Sequence, residues 1–343
     1  MLNYSSTIFR LCFLLQVLLV VTPLVSAERC HPEDKKALLQ IKNDLNNPTA
    51  LSVWNPATDC CHYNQWKGVT CSAQNHRVFA LNLSHIHIHH GPLPIPSSIA
   101  ALPYLSVIQI MSVSNLIGPI PTSITTLDLN HLQISNISLS GTIPAFLSNL
   151  NNLITLELSN CNLSGPIPPS LISRMPNLDG LTLSGNSLNG SIPHSFWSFS
   201  NQFLYLDLAN NRLSGYIPKS LENQNVAFVF LNDNMFEGDA SFLFKSNRST
   251  RIDLSKNKLA FDFGRVESFN DLLIALDLRY NKIYGKIPEA IKSLHVEKFN
   301  VSHNNLCSKI PTGGVLSSIT DASAYAHNKC LCGTPLLPCS RDS

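Results

Sequence analysis

Beyond residue 27 the sequence has no apolar run approaching the ~20 residues of a membrane helix, so nothing there is expected to enter a bilayer. Surplus charge is also missing. The chain holds 24 Lys and Arg against 22 Asp and Glu, and one of the cations, Arg10, lies in the leader discussed below. With neither a basic patch nor an acidic tail, nucleic acid is excluded as an expected partner. The signatures of common catalytic sites are absent too: no nucleophile elbow, no P-loop and no HExxH helix. No enzyme activity, cofactor or metal is therefore expected.

The one long apolar run, residues 11–21, stands near the start. Arg10 precedes it, and Val25, Ser26 and Ala27 supply small residues after it. Charge, apolar run and small residues in that order read as a secretory signal over residues 1–27, with the mature chain starting near Glu28. As a membrane anchor the run is short and lacks a charged flank on its far side. The last cysteine stands four residues from Ser343, so no further domain is expected. The product should be secreted, free and monomeric.

Cysteine usage agrees with export. Cys12 leaves with the leader, four cysteines crowd the mature N-terminus (Cys30, Cys60, Cys61, Cys71), and four crowd the C-terminus (Cys307, Cys330, Cys332, Cys339). An even set at each end implies two disulfides per end in an oxidising compartment, and each set allows three pairings. Adjacent or near-adjacent cysteines rarely bridge, which favours Cys30 with Cys60, Cys61 with Cys71, Cys307 with Cys330, and Cys332 with Cys339. A zinc reading is poor, because secreted thiols oxidise and the spacings are not those of zinc ribbons. Beyond the leader, six Asn-x-Ser sequons, at Asn82, Asn136, Asn162, Asn189, Asn247 and Asn300, predict a glycoprotein.

Roughly 315 mature residues would ordinarily suggest two domains. An internal repeat overrides that expectation. LITLELSNCNLSGPIP from Leu153, LDGLTLSGNSLNGSIP from Leu178 and FLYLDLANNRLSGYIP from Phe203 are successive copies. Aligned on the second aliphatic of x-L-x-L, ten copies appear, at Leu83, Ile110, Ile134, Leu158, Leu183, Leu208, Leu231, Leu254, Leu278 and Val301. Spacings of 23 to 27 residues with this pattern are the leucine-rich-repeat signature. The expected fold is an α/β solenoid: a right-handed superhelix of about ten repeats of ~24 residues, with a parallel, concave β-sheet and disulfide-bonded caps. Its parts would be an N-terminal cap over residues 28–76, repeats over 77–306 and a C-terminal cap over 307–343.

Each repeat position has a physical reason. Alternation in x-L-x-L sends leucines inward and the x residues outward from a short strand. Asn186, Asn211, Asn234, Asn257, Asn281 and Asn304 follow the strands, where they can bond the backbone of a neighbouring coil. Cys161 fills the same slot one copy earlier and should be a buried, unpaired thiol. In the recurring G-x-I-P, glycine permits a bend, isoleucine fills the core and proline fixes an extended or helix-starting backbone. In the N-terminal cap, Leu38, Leu39, Ile41 and Leu45 suggest a short amphipathic helix, with Glu33 and Asp34 in its first turn.

Finer details carry a resemblance. The start ERCHPEDKKALLQIKNDLNNPT with its DCC pair, LPYL at residues 102–105, EGDASFLF from Glu237, LAFDFGRV from Leu259, and the end SAYAHNKCLCGTPLLPC resemble the polygalacturonase-inhibiting proteins of plant cell walls. The resemblance spans the mature chain, including the places where the repeat breaks. It implies an extracellular glycoprotein of the apoplast that binds and inhibits fungal or insect polygalacturonases as a defence against pectin degradation, with cell-wall pectin as a further ligand. The chain departs from the family in CCHYNQWKGVTC, in the His-rich stretch after the first strand, at Ser308 after Cys307, and at Phe230, where relatives often carry an acid.

Side chains that the fold does not need are free to bind. The residues between the paired aliphatics are Asn82, Gln109, Gln133, Glu157, Thr182, Asp207, Phe230, Asp253, Asp277 and Asn300. Neighbouring columns add Thr155, Asp179, Tyr205, Phe228, Arg251, Arg279, Tyr280, Lys298 and His303. Outward Tyr205, Phe228 and Phe230 exceed what folding asks and suit binding anchors. Glu157, Asp207, Asp253 and Asp277 would complement basic groups around the cleft of an enzyme that binds a polyanion. The resemblance points to the same middle-to-late strands and brings in Thr182, Tyr205 and Thr250.

Rival readings are weaker. Asp253 and Asp277, one rung apart, resemble the spacing of a retaining glycosidase pair. Arg251 and Arg279 flank them, however, and nothing in the sequence raises either pKa. The run from Ser84 to His90 places histidines at alternate positions but lacks a carboxylate or cysteine nearby, and reads as a variable surface loop. A soluble signalling or developmental protein that binds a peptide or a receptor ectodomain would use the same fold. Ice binding would want a flat, chemically regular column, and this one is mixed.

Overall fold

In the computed structural model the described residues are 30–62, 65–172, 174–197, 204–246 and 248–339. The expected leader and the Asn247 sequon lie outside them. The ten expected strands form, from Val78–Ser84 to Lys298–Asn300, and stack in parallel in chain order. An antiparallel strand that the repeat pattern did not announce, Val69–Cys71, closes the N-terminal edge and makes an eleven-stranded sheet.

Register is constant along the stack. Asn82, Gln109, Gln133, Glu157, Thr182, Asp207, Phe230, Asp253, Asp277 and Asn300 are successive neighbours in one column. The flanking aliphatics, such as Leu156 and Leu158 or Leu206 and Leu208, are buried in a core that runs the length of the molecule.

The asparagines bond as their position requires. Asn234 accepts a hydrogen bond from the Leu213 N–H at 3.0 Å and donates to the carbonyls of Leu208 and Leu231 at 2.9 and 3.2 Å. Asn186, Asn211, Asn257, Asn281 and Asn304 repeat the pattern. Asn328 adds one more step inside the C-terminal cap, where Cys330–Cys332 pairs with Asn305–Lys309. That cap therefore continues the solenoid by a further coil. Cys161 is fully buried, its thiol donating to the Ile134 and Ser159 carbonyls, and burial pushes its pKa up to about 11.

Opposite the long sheet, the G-x-I-P segments pair into shorter sheets, one of them running through Ser164–Pro166, Ser187–Gly190, Arg212–Tyr216, Met235–Gly238 and Lys258–Leu259. The prolines then end this extended stretch and open 3₁₀ turns, as Pro144 does before Ala145–Asn149. Gly238 has φ +79° and lies under the Tyr216 ring, where a β-carbon would stand 2.3 Å from ring carbon. The irregular copies substitute a buried aromatic cluster: Phe244 packs 6.1 Å from Phe261 and Phe263 and 5.7 Å from Phe269.

Both ends are sealed. The structure joins Cys30 to Cys60, Cys61 to Cys71, Cys307 to Cys330 and Cys332 to Cys339. The expected helix is Pro32–Asp44, with Leu38 and Ile41 buried and Leu45 buried just beyond it. Asp34, read from sequence as a first-turn charge, has a larger role. It is 1% exposed, takes two hydrogen bonds from Arg77 at 2.7 and 3.0 Å, and accepts the Val78 N–H at 2.8 Å. It thus ties the helix to the first parallel strand.

Candidate partner-binding face

The open face of the long sheet divides into two chemically different halves. In the first, side-chain amides bond along the column. Asn82 donates to Gln109 at 3.0 Å, Gln109 to Gln133 at 2.9 Å, and Gln133 to Glu157 at 2.9 Å, while Ser159 donates to the other Glu157 oxygen at 2.7 Å. His131 and Thr155 bond beside this ladder at 2.7 Å. These groups satisfy one another, so a partner gains little by replacing those bonds.

The second half is where an anchor can form. Tyr205 stands 5.9 Å from Phe228 and 5.6 Å from Phe230, ring centre to ring centre, and all three are half-buried on the open face. The sheet registers Phe228 beside Tyr205, and Phe230 beside Asp207.

Beyond them a hollow of about 710 Å³ opens between the last rungs and the C-terminal cap, lined by Phe230, Arg251, Asp253, Asp277, Arg279 and Lys298 among others. The acids have a local duty that the sequence reading missed. Asp207, Asp253 and Asp277 each accept the N–H two residues on, from Ala209, Ser255 and Arg279, and Asn300 accepts from Ser302 in the same way. One carboxylate oxygen therefore shapes the strand exit, while the second Asp277 oxygen faces Arg279 at 3.3 Å and Asp207 also bonds Ser184. The signal was available: an acid or Asn two residues before the turn is a common Asx bond.

Burial, then repulsion from Asp253, pushes the Asp277 carboxyl up to about 6, although the Arg279 guanidinium lies 3.3 Å away. This corrects the expectation that nothing raises either acid. Burial also raises the Asp207 carboxyl and the Tyr205 phenol, the latter helped by the charges of Asp207 and Glu157. The shift does not make a glycosidase pair, because Asp253 and Asp277 occupy one column of adjacent parallel strands, whereas that chemistry needs carboxyls flanking a scissile bond.

Two expected residues stand outside the columns. Asp179 precedes Gly180–Thr182 and accepts the Leu204 N–H at 2.9 Å, and Thr250 precedes Arg251–Asp253 and donates to the Ala227 carbonyl at 3.1 Å. The position aligned with Thr155 and Tyr205 is Gly180. Along the rim run Tyr280, His303 and His327, stacked 3.9 and 4.2 Å apart, all at positive φ.

The sequons fall in different settings. Asn136, Asn162 and Asn189 are exposed, Asn82 is a link in the amide ladder, and Asn300 is half-buried against Ser302.

A solenoid with sealed ends and a laterally presented aromatic and acidic face defines a leucine-rich-repeat binding protein. Residues 31–72 match the leucine rich repeat N-terminal domain family, and residues 152–173, 177–199, 202–224 and 272–294 match the leucine rich repeat family. Polygalacturonase inhibitor 1 of Phaseolus vulgaris is 49% identical over 98% of this chain and 99% of its own. Leucine-rich repeat protein FLOR 1 of Arabidopsis thaliana is 45% identical over 96% and 98%. Among solved structures, a plant ice-binding protein is 41% identical, with a TM-score of 0.86 over 92% of this chain and all of that one. The chain belongs to the polygalacturonase-inhibitor family of leucine-rich-repeat proteins. Among the described residues no helix is long and apolar enough to cross a membrane.

Proposed function

We propose that this chain is a secreted plant inhibitor, without catalysis of its own, that seats a fungal or insect polygalacturonase on its open face and blocks pectin entry. The observation that carries this reading is the Tyr205, Phe228 and Phe230 cluster beside the Asp253 and Asp277 hollow. Exposed rings give affinity once desolvated. The acids match the basic rim of an enzyme whose substrate is a polyanion. Thr155, Glu157, Asp179, Thr182, Asp207, Thr250 and Arg279 border this centre and set its outline. A specific complex buries about 800 Å² per partner, which the late rungs and the adjoining cap can supply.

The test is the activity of a panel of fungal and insect polygalacturonases with and without the purified protein. Stoichiometric inhibition that weakens as salt rises is expected. Inactivity against the whole panel would overturn the proposal and favour a soluble signalling role. Ice binding gains nothing from the faces: the open column mixes amides, acids, Thr and Phe, and the flank sets Pro166, Ser191 and Tyr216 over successive glycines.

A further inference from the structure

The histidine-rich stretch after the first parallel strand plays no part in that face, and its geometry is more ordered than a variable loop requires. Ile86 and Ile88 are 3% and 1% exposed, so the segment is nailed to the core at alternate residues, and His85, His87, His89 and His90 are left outside. Its backbone is held from several directions. The Ile86 carbonyl accepts the Ser114 N–H at 3.0 Å, the Ile88 carbonyl accepts from Asn115 at 2.8 Å, and the His90 carbonyl accepts from Asn46 at 3.3 Å. His87 also forms a parallel bridge with Ser114. Two imidazoles separated by one inward isoleucine are thus presented together by a fixed backbone.

The rings of His87 and His89 have centres 4.7 Å apart and planes at 87°. A metal bound at about 2.0–2.1 Å from an imidazole nitrogen lies about 3.2 Å from the ring centre, so two ligands at roughly a right angle place their centres about 4.5–5 Å apart. The observed spacing falls in that window. The Nδ1 atom of His87 is 2.6 Å from the Ser114 hydroxyl, which engages that nitrogen and leaves Nε2 for a ligand. This is the outer support that orients metal-binding imidazoles. Water can complete the coordination.

We infer that His87 and His89 form a surface site for a borderline divalent transition-metal ion, with copper(II) held most tightly and zinc(II) less so. Two neutral nitrogen ligands with no carboxylate select this class over calcium or magnesium, and copper(II) heads the affinity order for such donors. The site is independent of the inhibitory face, which begins several rungs away.

The test uses the full-length secreted protein made without an affinity tag. Copper(II) chloride is titrated in by calorimetry, and electron paramagnetic resonance reports the ligand nitrogens. One equivalent bound through at least two imidazole nitrogens is expected. The His87→Ala and His89→Ala variants should each weaken binding at least tenfold, and Ser114→Ala several-fold. His303→Ala, in the other histidine pair, should leave it unchanged. His87 and His89 are exposed, and an unchanged circular dichroism spectrum will show that each variant folds. Copper binding that survives the His87→Ala/His89→Ala double substitution, or absence of imidazole coordination in the unsubstituted protein, overturns the site. Neither result depends on whether any polygalacturonase is inhibited.

Discussion

At the scale of single residues, the aromatic anchors and the perturbed acid make distinct predictions. Phe228 and Phe230 each pack against Tyr205 on the open face. Tyr205→Ala or Phe230→Ala should therefore weaken inhibition of a susceptible polygalacturonase at least tenfold with little change in melting temperature, read by inhibition titration and calorimetry. Asp277 behaves differently. Its carboxyl is held at about 6 against an ordinary 3.8, chiefly by burial. Between those values the folded chain keeps a proton that the unfolded chain has lost, so this group's penalty grows as pH climbs from 3.8 to 6 and stays constant at its full size above. Asp277→Asn should raise the melting temperature at pH 7, with the gain fading below pH 4. It should also flatten any change in inhibitory affinity between pH 5 and 7. A gain in melting temperature of equal size at pH 4 and pH 7 would contradict the assigned cause.

At the scale of the repeat, the asparagine ladder carries the cohesion between coils. Asn234 is 9% exposed, and its loss leaves the buried Leu213 N–H without its acceptor, while the Leu208 and Leu231 carbonyls keep only Asn211 and Asn257. Asn234→Ala should cost about 1–3 kcal/mol, visible as a lowered urea midpoint. This level was also the most legible in the sequence. The aliphatic alternation placed all ten parallel strands, and one-per-turn geometry made Asn82 through Asn300 a single column. What escaped were features fixed by contacts between distant residues. The antiparallel strand Val69–Cys71 has no repeat pattern to announce it. Asp34 meets Arg77 only after the cap folds over the first strand, and the Asp277 shift arises only when burial and Asp253 converge. The strand pattern put Asp179 on the face and the resemblance put Thr250 there, yet each sits one residue before its strand and bonds backbone there.

At the scale of the molecule, a stack in which each coil touches only its neighbours should come apart from its ends. The C-terminal bridge between Cys307 and Cys330 holds Asn305–Lys309 against Cys330–Cys332, in the cap that borders the hollow beside the last rungs. Replacing both cysteines with serine should speed amide hydrogen exchange in Lys298–Asn300 and Ala275–Asp277 while leaving Val107–Met111 protected. Inhibition should fall with the late rungs. Uniform acceleration along the chain would mean that the solenoid melts as one unit instead.

The amide ladder from Asn82 to Glu157 has an evolutionary corollary. Each amide points its donor toward the next rung, so altering Gln109 or Gln133 alone breaks two links and reverses no other. Adaptive change there would need paired mutations, whereas the rungs after Glu157 can vary singly. Descendants of this chain should diversify their targets from the aromatic half first, and the amide half should change late and in concert.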